Sequence, residues 1–194
     1  MSRIRFNLDA WENGLLVNGI NQHSKEAKLI RAGVHSLFNH NAQTATKNGI
    51  KGIAEAVPPK SRLTTLAEYE HIMNHDDYII RLYRLKSFTA EQRENAAQYF
   101  VDCLLGIPYP KKWKMILLSM PVYNAFVDRT GWLPPLRLSW CSQLVKKAYE
   151  SVDQRCLVRY DGKVKVLFTP RTFEKRASEG LFEDVTEEKL IVCS

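Results

Sequence analysis

Cys141 opens the stretch "CSQLVKKAYE", residues 141 to 150. Trp140, Leu144, Val145, Ala148 and Tyr149 recur at helical spacing, so the segment reads as an amphipathic helix whose Lys146, Lys147 and Glu150 face water. Ser139 is a suitable N-cap, and Pro134 and Pro135 stop any helix before it. A cysteine in a first helical turn sits among free amide donors and the positive end of the helix dipole, which stabilise a thiolate. That is a place for a nucleophile, although a free cysteine also serves as a small buried hydrophobe. A thiolate attacking a carbonyl needs a group that takes and returns a proton near neutral pH, and histidine has that pKa. His40 falls in the alternating stretch "NHNAQTAT" (39–46), a strand able to hold its ring, whereas His23, His71 and His75 lie in polar or loop-like stretches and His35 on a helix. The imidazole in turn needs an orienting group. Glu55 is the only acidic residue of "IKGIAEAV" (50–57), and a carboxylate on that strand either faces outward or wants a partner. Together the three types suit acyl transfer through a thioacyl-enzyme.

These residues are far apart in the chain, so a sheet and a helix must bring them together. Lys47, Asn48 and Gly49 form a hairpin turn between the strands of His40 and Glu55. A strand over 13–19, a helix over 24–38 capped by Ser24, a helix over 64–74 opened by threonine and a strand over 78–85 surround that hairpin. Thr89 caps a helix that Gly106 ends, and "TPRTFEKRASEG" (169–180) reads as a helix begun by proline. Residues 156–168 read as a strand region around Asp161 and Gly162, and residues 111–138 form an apolar, proline-interrupted excursion. The sum is an α+β fold, helices beside a mostly antiparallel sheet.

The chain of 194 residues, 45% hydrophobic and 25% charged, suits a single domain over residues 1–194. Cys103, Cys141, Cys156 and Cys193 are widely spaced, without the CxxC pairs of a zinc site or the density of a disulfide scaffold, so free thiols in a reducing compartment are expected. No apolar leader or membrane-length segment is present, which predicts a cytoplasmic protein with weak or no membrane contact. The net charge of +7 is spread along the chain and accompanies no nucleic-acid motif, so a solvated basic face is expected rather than a specific nucleic-acid partner.

"LGIPYPKKW" (105–113) and the later "WCSQLVKKAY" resemble the segment of NlpC-type papain-like cysteine hydrolases in which a Pro-Tyr turn precedes the nucleophile helix. The His40 stretch comes before the cysteine here, an order that resembles the circularly permuted branch, the YiiX-like or YebB-like hydrolases, from about residue 12 to residue 178. The resemblance implies a permuted papain-like fold. It implies Cys141 as nucleophile, His40 as general base, Glu55 as the residue orienting the histidine, and Tyr109 near the site as a contributor to an oxyanion hole; a tyrosine filling the core of that turn is the other reading. Two features depart from the family: Asn13 and Gly14 replace its Gly-Asp pair, and Asn41 replaces an aliphatic residue after the histidine. The implied activity is a cysteine peptidase or amidase acting on a peptide or cell-wall-type peptide, with no metal and no organic cofactor. Acyl transfer or hydrolysis on a lipid or thioester donor uses the same residues, as in lecithin retinol acyltransferase-like relatives, and a silent binding module would keep only the fold.

Overall fold

The computed structural model describes residues 3–21, 28, 32, 37–75, 78–110, 140–157 and 169–193. Its described elements run β1 (Arg3–Phe6), β2 (Leu16–Asn21), β3 (His40–Lys47), β4 (Ile50–Glu55), β5 (Arg62–Thr65), α1 (Leu66–His75), β6 (Tyr78–Leu85) and α2 (Ala90–Tyr99), the last continued by a wider helical turn, Phe100–Leu104. After these come α3 (Cys141–Glu150), α4 (Pro170–Ser178), β7 (Phe182–Asp184), α5 (Thr186–Lys189) and β8 (Leu190–Cys193). Six strands form one antiparallel sheet in the order β5-β4-β3-β2-β6-β7, while β1 and β8 pair separately. The fold is α+β.

Local chemistry accounts for most boundaries. Asn48 and Gly49 have φ of 52° and 78°, the double left-handed turn whose twist matches the β3–β4 hairpin. Thr89 caps α2 through a reciprocal pair, Gln92 N to its Oγ1 at 3.2 Å and its own N to Gln92 Oε1 at 2.9 Å. Thr169 and Pro170 begin α4 as their types predict. Alternation along the strands sends Leu16, Ala45 and Ala54 to one face, under α2, α3 and α4, where they pack with Phe100, Leu144, Tyr149 and Phe173. It sends Val17, Ala42, Ile53, Ile80 and Leu82 to the opposite face, under Tyr69 and Met73 of α1.

Several expectations shift. The strand predicted over 13–19 is Leu16–Asn21, because Asn13 and Gly14 turn, with Gly14 at φ 77°. Thr64 and Thr65 end β5 instead of starting a helix, and α1 begins after Thr65, which exchanges hydrogen bonds with Glu68. His71 and His75 therefore lie on a helix, their rings 4.2 Å apart. Cys156 and Leu157 sit in turns, not a strand; the rest of that region, most of the 24–38 helix and all of the 111–138 excursion lie outside the described residues. Lys146 is inside, its ammonium 2.7 Å from Glu150, while Lys147 faces solvent.

Glu12 ties the N-terminal loop to three elements. Its carboxylate meets Arg84 of β6 at 2.9 Å, Lys189 of α5 at 3.1 Å, and Arg93 of α2. Burial works against its charge, but these three cations overcome that cost and hold the carboxyl at about 2. At Gly14 an added Cβ would come 2.2 Å from the Arg93 carbonyl oxygen, so this turn tolerates only glycine so close to α2.

Candidate active site

The sheet register brings the predicted base and its orienting carboxylate onto one face. His40 lies opposite Gly19, and Ala42, two residues on, lies opposite Glu55, which makes His40 and Glu55 diagonal neighbours across β3 and β4. Their side chains meet, with His40 Nε2 2.8 Å from Glu55 Oε2. A carboxylate only accepts, so Nε2 carries the proton of that bond. The other carboxylate oxygen accepts from Thr64 Oγ1 on β5 at 2.5 Å, and Arg62 Nε stands 3.9 Å away on the solvent side. Glu55 thus faces inward, 4% exposed, with both oxygens engaged.

Cys141 arrives from the other side of the sheet. It is the first helical residue of α3, buried, and the N-cap is Trp140 rather than Ser139, with no side chain capping the turn. Leu144 N donates to the Trp140 carbonyl at 3.1 Å, so the amides of Cys141, Ser142 and Gln143 have no helical acceptor and point out of the helix start. The Cys141 sulfur interacts with the His40 ring and with the backbone amide of Asn41. With Nε2 committed to Glu55, Nδ1 is the ring nitrogen left for the sulfur.

Electrostatics follow from that arrangement. Burial pushes the Cys141 thiol up, yet the His40 hydrogen bond and charge, the Asn41 amide and the Ser142 hydroxyl outweigh it and bring the pKa below its ordinary value. Burial likewise opposes the imidazolium, and the oxygens of Tyr78 and Glu55 with the Cys141 sulfur overcome it, holding His40 well above the usual histidine range. Glu55 is penalised by burial and lowered by His40, Thr64 and Arg62. All three shifts favour one state, a thiolate beside an imidazolium that is itself beside a carboxylate.

A second polar chain fixes the helix start. Ser142 Oγ donates to Asn41 Oδ1 at 2.5 Å, Asn41 Nδ2 donates to Asn18 Oδ1, and all three residues are fully buried between β2, β3 and α3. Tyr109 also lies near the thiol. Its amide donates to the Pro59 carbonyl at 2.8 Å, and Ser61 Oγ bridges the Leu104 carbonyl at 2.5 Å and the Ile107 amide at 2.9 Å, docking the Pro-Tyr turn on the chain that leaves β4. Tyr109 packs against the cluster holding Cys141, and burial together with the sulfur's charge pushes its phenol up.

The four predicted site residues therefore converge. Sequence reasoning did not single out Thr64, Ser142, Asn18 or Tyr78. Thr64 was hidden by reading its strand as a helix start. Tyr78 was within reach of the alternation in "YIIRLYRL", which puts it on the same face as Ile80 and Leu82.

Comparison with known proteins shows fold and little else. No family model and no curated protein matches the chain. Among solved structures it resembles the metalloprotein YiiX from Escherichia coli O157:H7 (DUF1105), with a TM-score of 0.52 and 20% identity over 76% of this chain and 69% of that one. At that identity the two share a fold, and the α+β architecture with its large antiparallel sheet agrees with it.

Proposed function

We propose that the chain is a cysteine hydrolase of the permuted papain-like kind that cleaves an amide bond through a thioacyl-enzyme. The observation that carries this reading is the His40 imidazole held between a buried carboxylate and a buried sulfur at a helix start. The Cys141 thiolate attacks the carbonyl carbon, and the carbonyl π pair moves to oxygen. The amides at the start of α3, which have no helical acceptor, lie next to the sulfur and suit that oxyanion, with Tyr109 a candidate side-chain donor beside them. As the intermediate collapses, the C–N bond breaks and the imidazolium gives its proton to the departing amine. Water then loses a proton to His40 and attacks the thioester; the thiolate leaves, and the acid product is released.

YiiX is described as a metalloprotein. Among the described residues of this chain no group of three or more His, Cys, Asp or Glu is placed to hold a metal ion, and His40, Glu55 and Cys141 are already engaged with one another, so they do not fit one and no step runs through a metal. Among the described residues no helix is long and apolar enough to cross a membrane.

The test is an assay of short aminoacyl amides beside p-nitrophenyl esters of two to twelve carbons, with Cys141→Ala as the blank. Amide turnover that disappears in the blank supports the reading. Rates that climb with every added pair of carbons, without amide cleavage, would instead assign the site to a lipid or thioester donor, since each buried methylene contributes about 0.8 kcal/mol. No turnover and no preferential labelling of Cys141 would leave a binding module.

A further inference from the structure

We infer that Tyr78 is a positioning residue for His40, its hydroxyl seated in the cross-strand slot that Gly19 leaves open. The inference rests on the reading of His40 as the base at Cys141. Its geometry comes from the sheet. Gly19 of β2 pairs with His40 of β3 and with Ile80 of β6, and Tyr78 stands opposite Asn21, so Tyr78, Gly19 and His40 belong to one face. A Cβ built on Gly19 would lie 2.0 Å from the Tyr78 hydroxyl oxygen and 2.6 Å from its Cζ. The phenol tip therefore occupies the very space of a residue-19 side chain. That space is the direct cross-strand neighbour of His40, where paired Cβ atoms stand about 4.5 to 5.5 Å apart.

Two groups fix the imidazole's other sides. Glu55 on β4 takes Nε2 and Cys141 on α3 interacts with the ring, while Thr64 on β5 holds Glu55 in place, with Arg62 behind it. Tyr69 of α1 backs Tyr78, their rings edge to face with centroids 6.0 Å apart. Tyr78 thus closes the face that the two nitrogens leave, and its rotatable hydroxyl turns lone pairs toward a ring that carries positive charge. Burial works against the charge of His40, and Tyr78 answers it through the dipole of its hydroxyl rather than through a charge of its own. The Tyr78 phenol is itself raised, chiefly by burial, and stays neutral at physiological pH. Any side chain at position 19 would evict the hydroxyl, which explains a glycine in the middle of a buried strand, where it is otherwise costly.

Tyr78→Phe removes the oxygen and keeps the ring, and Gly19→Ala displaces the oxygen without touching its residue. His40 titration is followed by NMR on histidine-labelled protein, assigned with His40→Ala, and iodoacetamide alkylation of Cys141 at pH 6 is measured in parallel. Tyr78→Phe is expected to melt near the wild type, to move the His40 midpoint to lower pH, and to slow alkylation about three- to tenfold, the scale of one hydrogen bond. Gly19→Ala should move both readouts the same way. A purely structural tyrosine would change melting and leave the His40 titration in place. An unchanged His40 midpoint in folded Tyr78→Phe overturns the inference. If wild-type Cys141 alkylates no faster than Cys103, the hydrolase reading fails instead, and the His40 midpoint still decides the role of Tyr78.

Discussion

Replacing Glu55 by glutamine keeps the side chain's shape and an acceptor oxygen but removes the charge beside His40. The wild-type carboxylate accepts from Nε2 at 2.8 Å and from Thr64 at 2.5 Å and is almost wholly buried, whereas Arg62, 3.9 Å off, is half exposed and compensates little. A hydrogen bond to an ion contributes about 1.5 to 3 kcal/mol and a neutral one about 0.5 to 1.5, so the substitution withdraws about 1 to 2 kcal/mol from the imidazolium. The Cys141 thiolate is stabilised by that imidazolium, and the ion pair becomes roughly five- to thirtyfold rarer. The direction in pH follows from the signs of the shifts. Cys141 is held below and His40 above its ordinary value, so the pair is populated between those two points and the wild-type thiol is expected to react at lower pH than an ordinary thiol. In Glu55→Gln the rise in alkylation moves to higher pH. The assay is the rate of Cys141 modification by iodoacetamide against pH, read by peptide mass spectrometry, with exposed Cys103 as the internal reference. A pH 6 rate within twofold of the wild type, with Cys103 unchanged, would refute the claim that Glu55 supports the pair.

Thr64→Val leaves Glu55 Oε1 without its 2.5 Å donor inside the protein, and should cost about 1 to 3 kcal/mol in urea denaturation while slowing Cys141 alkylation in the same direction as Glu55→Gln. Ser142→Ala strips Asn41 Oδ1 of its donor at a fully buried position, with an expected loss of about 1 to 3 kcal/mol by the same measurement. Glu12→Gln leaves Arg93 and Lys189 short of a counter-ion and should lower stability at pH 7 by about 2 kcal/mol, the buried-pair scale reduced for the solvent that still reaches Glu12. Since the folded carboxyl sits at about 2, below the usual 4.5, its contribution is complete above pH 4.5 and fades as pH falls toward 2, so denaturation curves of variant and wild type should converge over that window. Gly14→Ala forces a Cβ onto the Arg93 carbonyl at a left-handed φ, and calorimetry should show a loss of about 2 kcal/mol or more.

The hairpin that carries His40 and Glu55 could be read from the chain because alternation and the Asn-Gly turn are local signals. The N-terminal position of Cys141 was equally local, resting on one amphipathic repeat. What escaped depends on partners remote in sequence. β1 and β8 are four residues each, and Arg3 pairs with Cys193, so nothing near either segment announces a strand. β7 has three residues and exists because β6 offers an edge. The pairing of β5 with β4 turns "RLTT" into a strand and points Thr64 at Glu55, although threonines before an acidic run are an ordinary helix opening. Lys146 looked like a solvated residue, and only the packing of α3 and the proximity of Glu150 draw it inward.

Asn41 shows how a position that weakens a sequence resemblance can still serve the same geometry. An aliphatic residue there would pack between β3 and α3 without polarity. Asparagine at full burial is costly unless its amide is satisfied, and here its oxygen takes the Ser142 hydroxyl while its nitrogen gives to Asn18. The exchange substitutes directional bonds for contact area. Its backbone amide also donates to the Cys141 sulfur, so the residue that anchors the first turn of α3 is the one that helps hold the thiolate. Any shift of α3 along β3 would break the Ser142 bond and the sulfur contact together, which couples the position of the helix start to the charge state of Cys141.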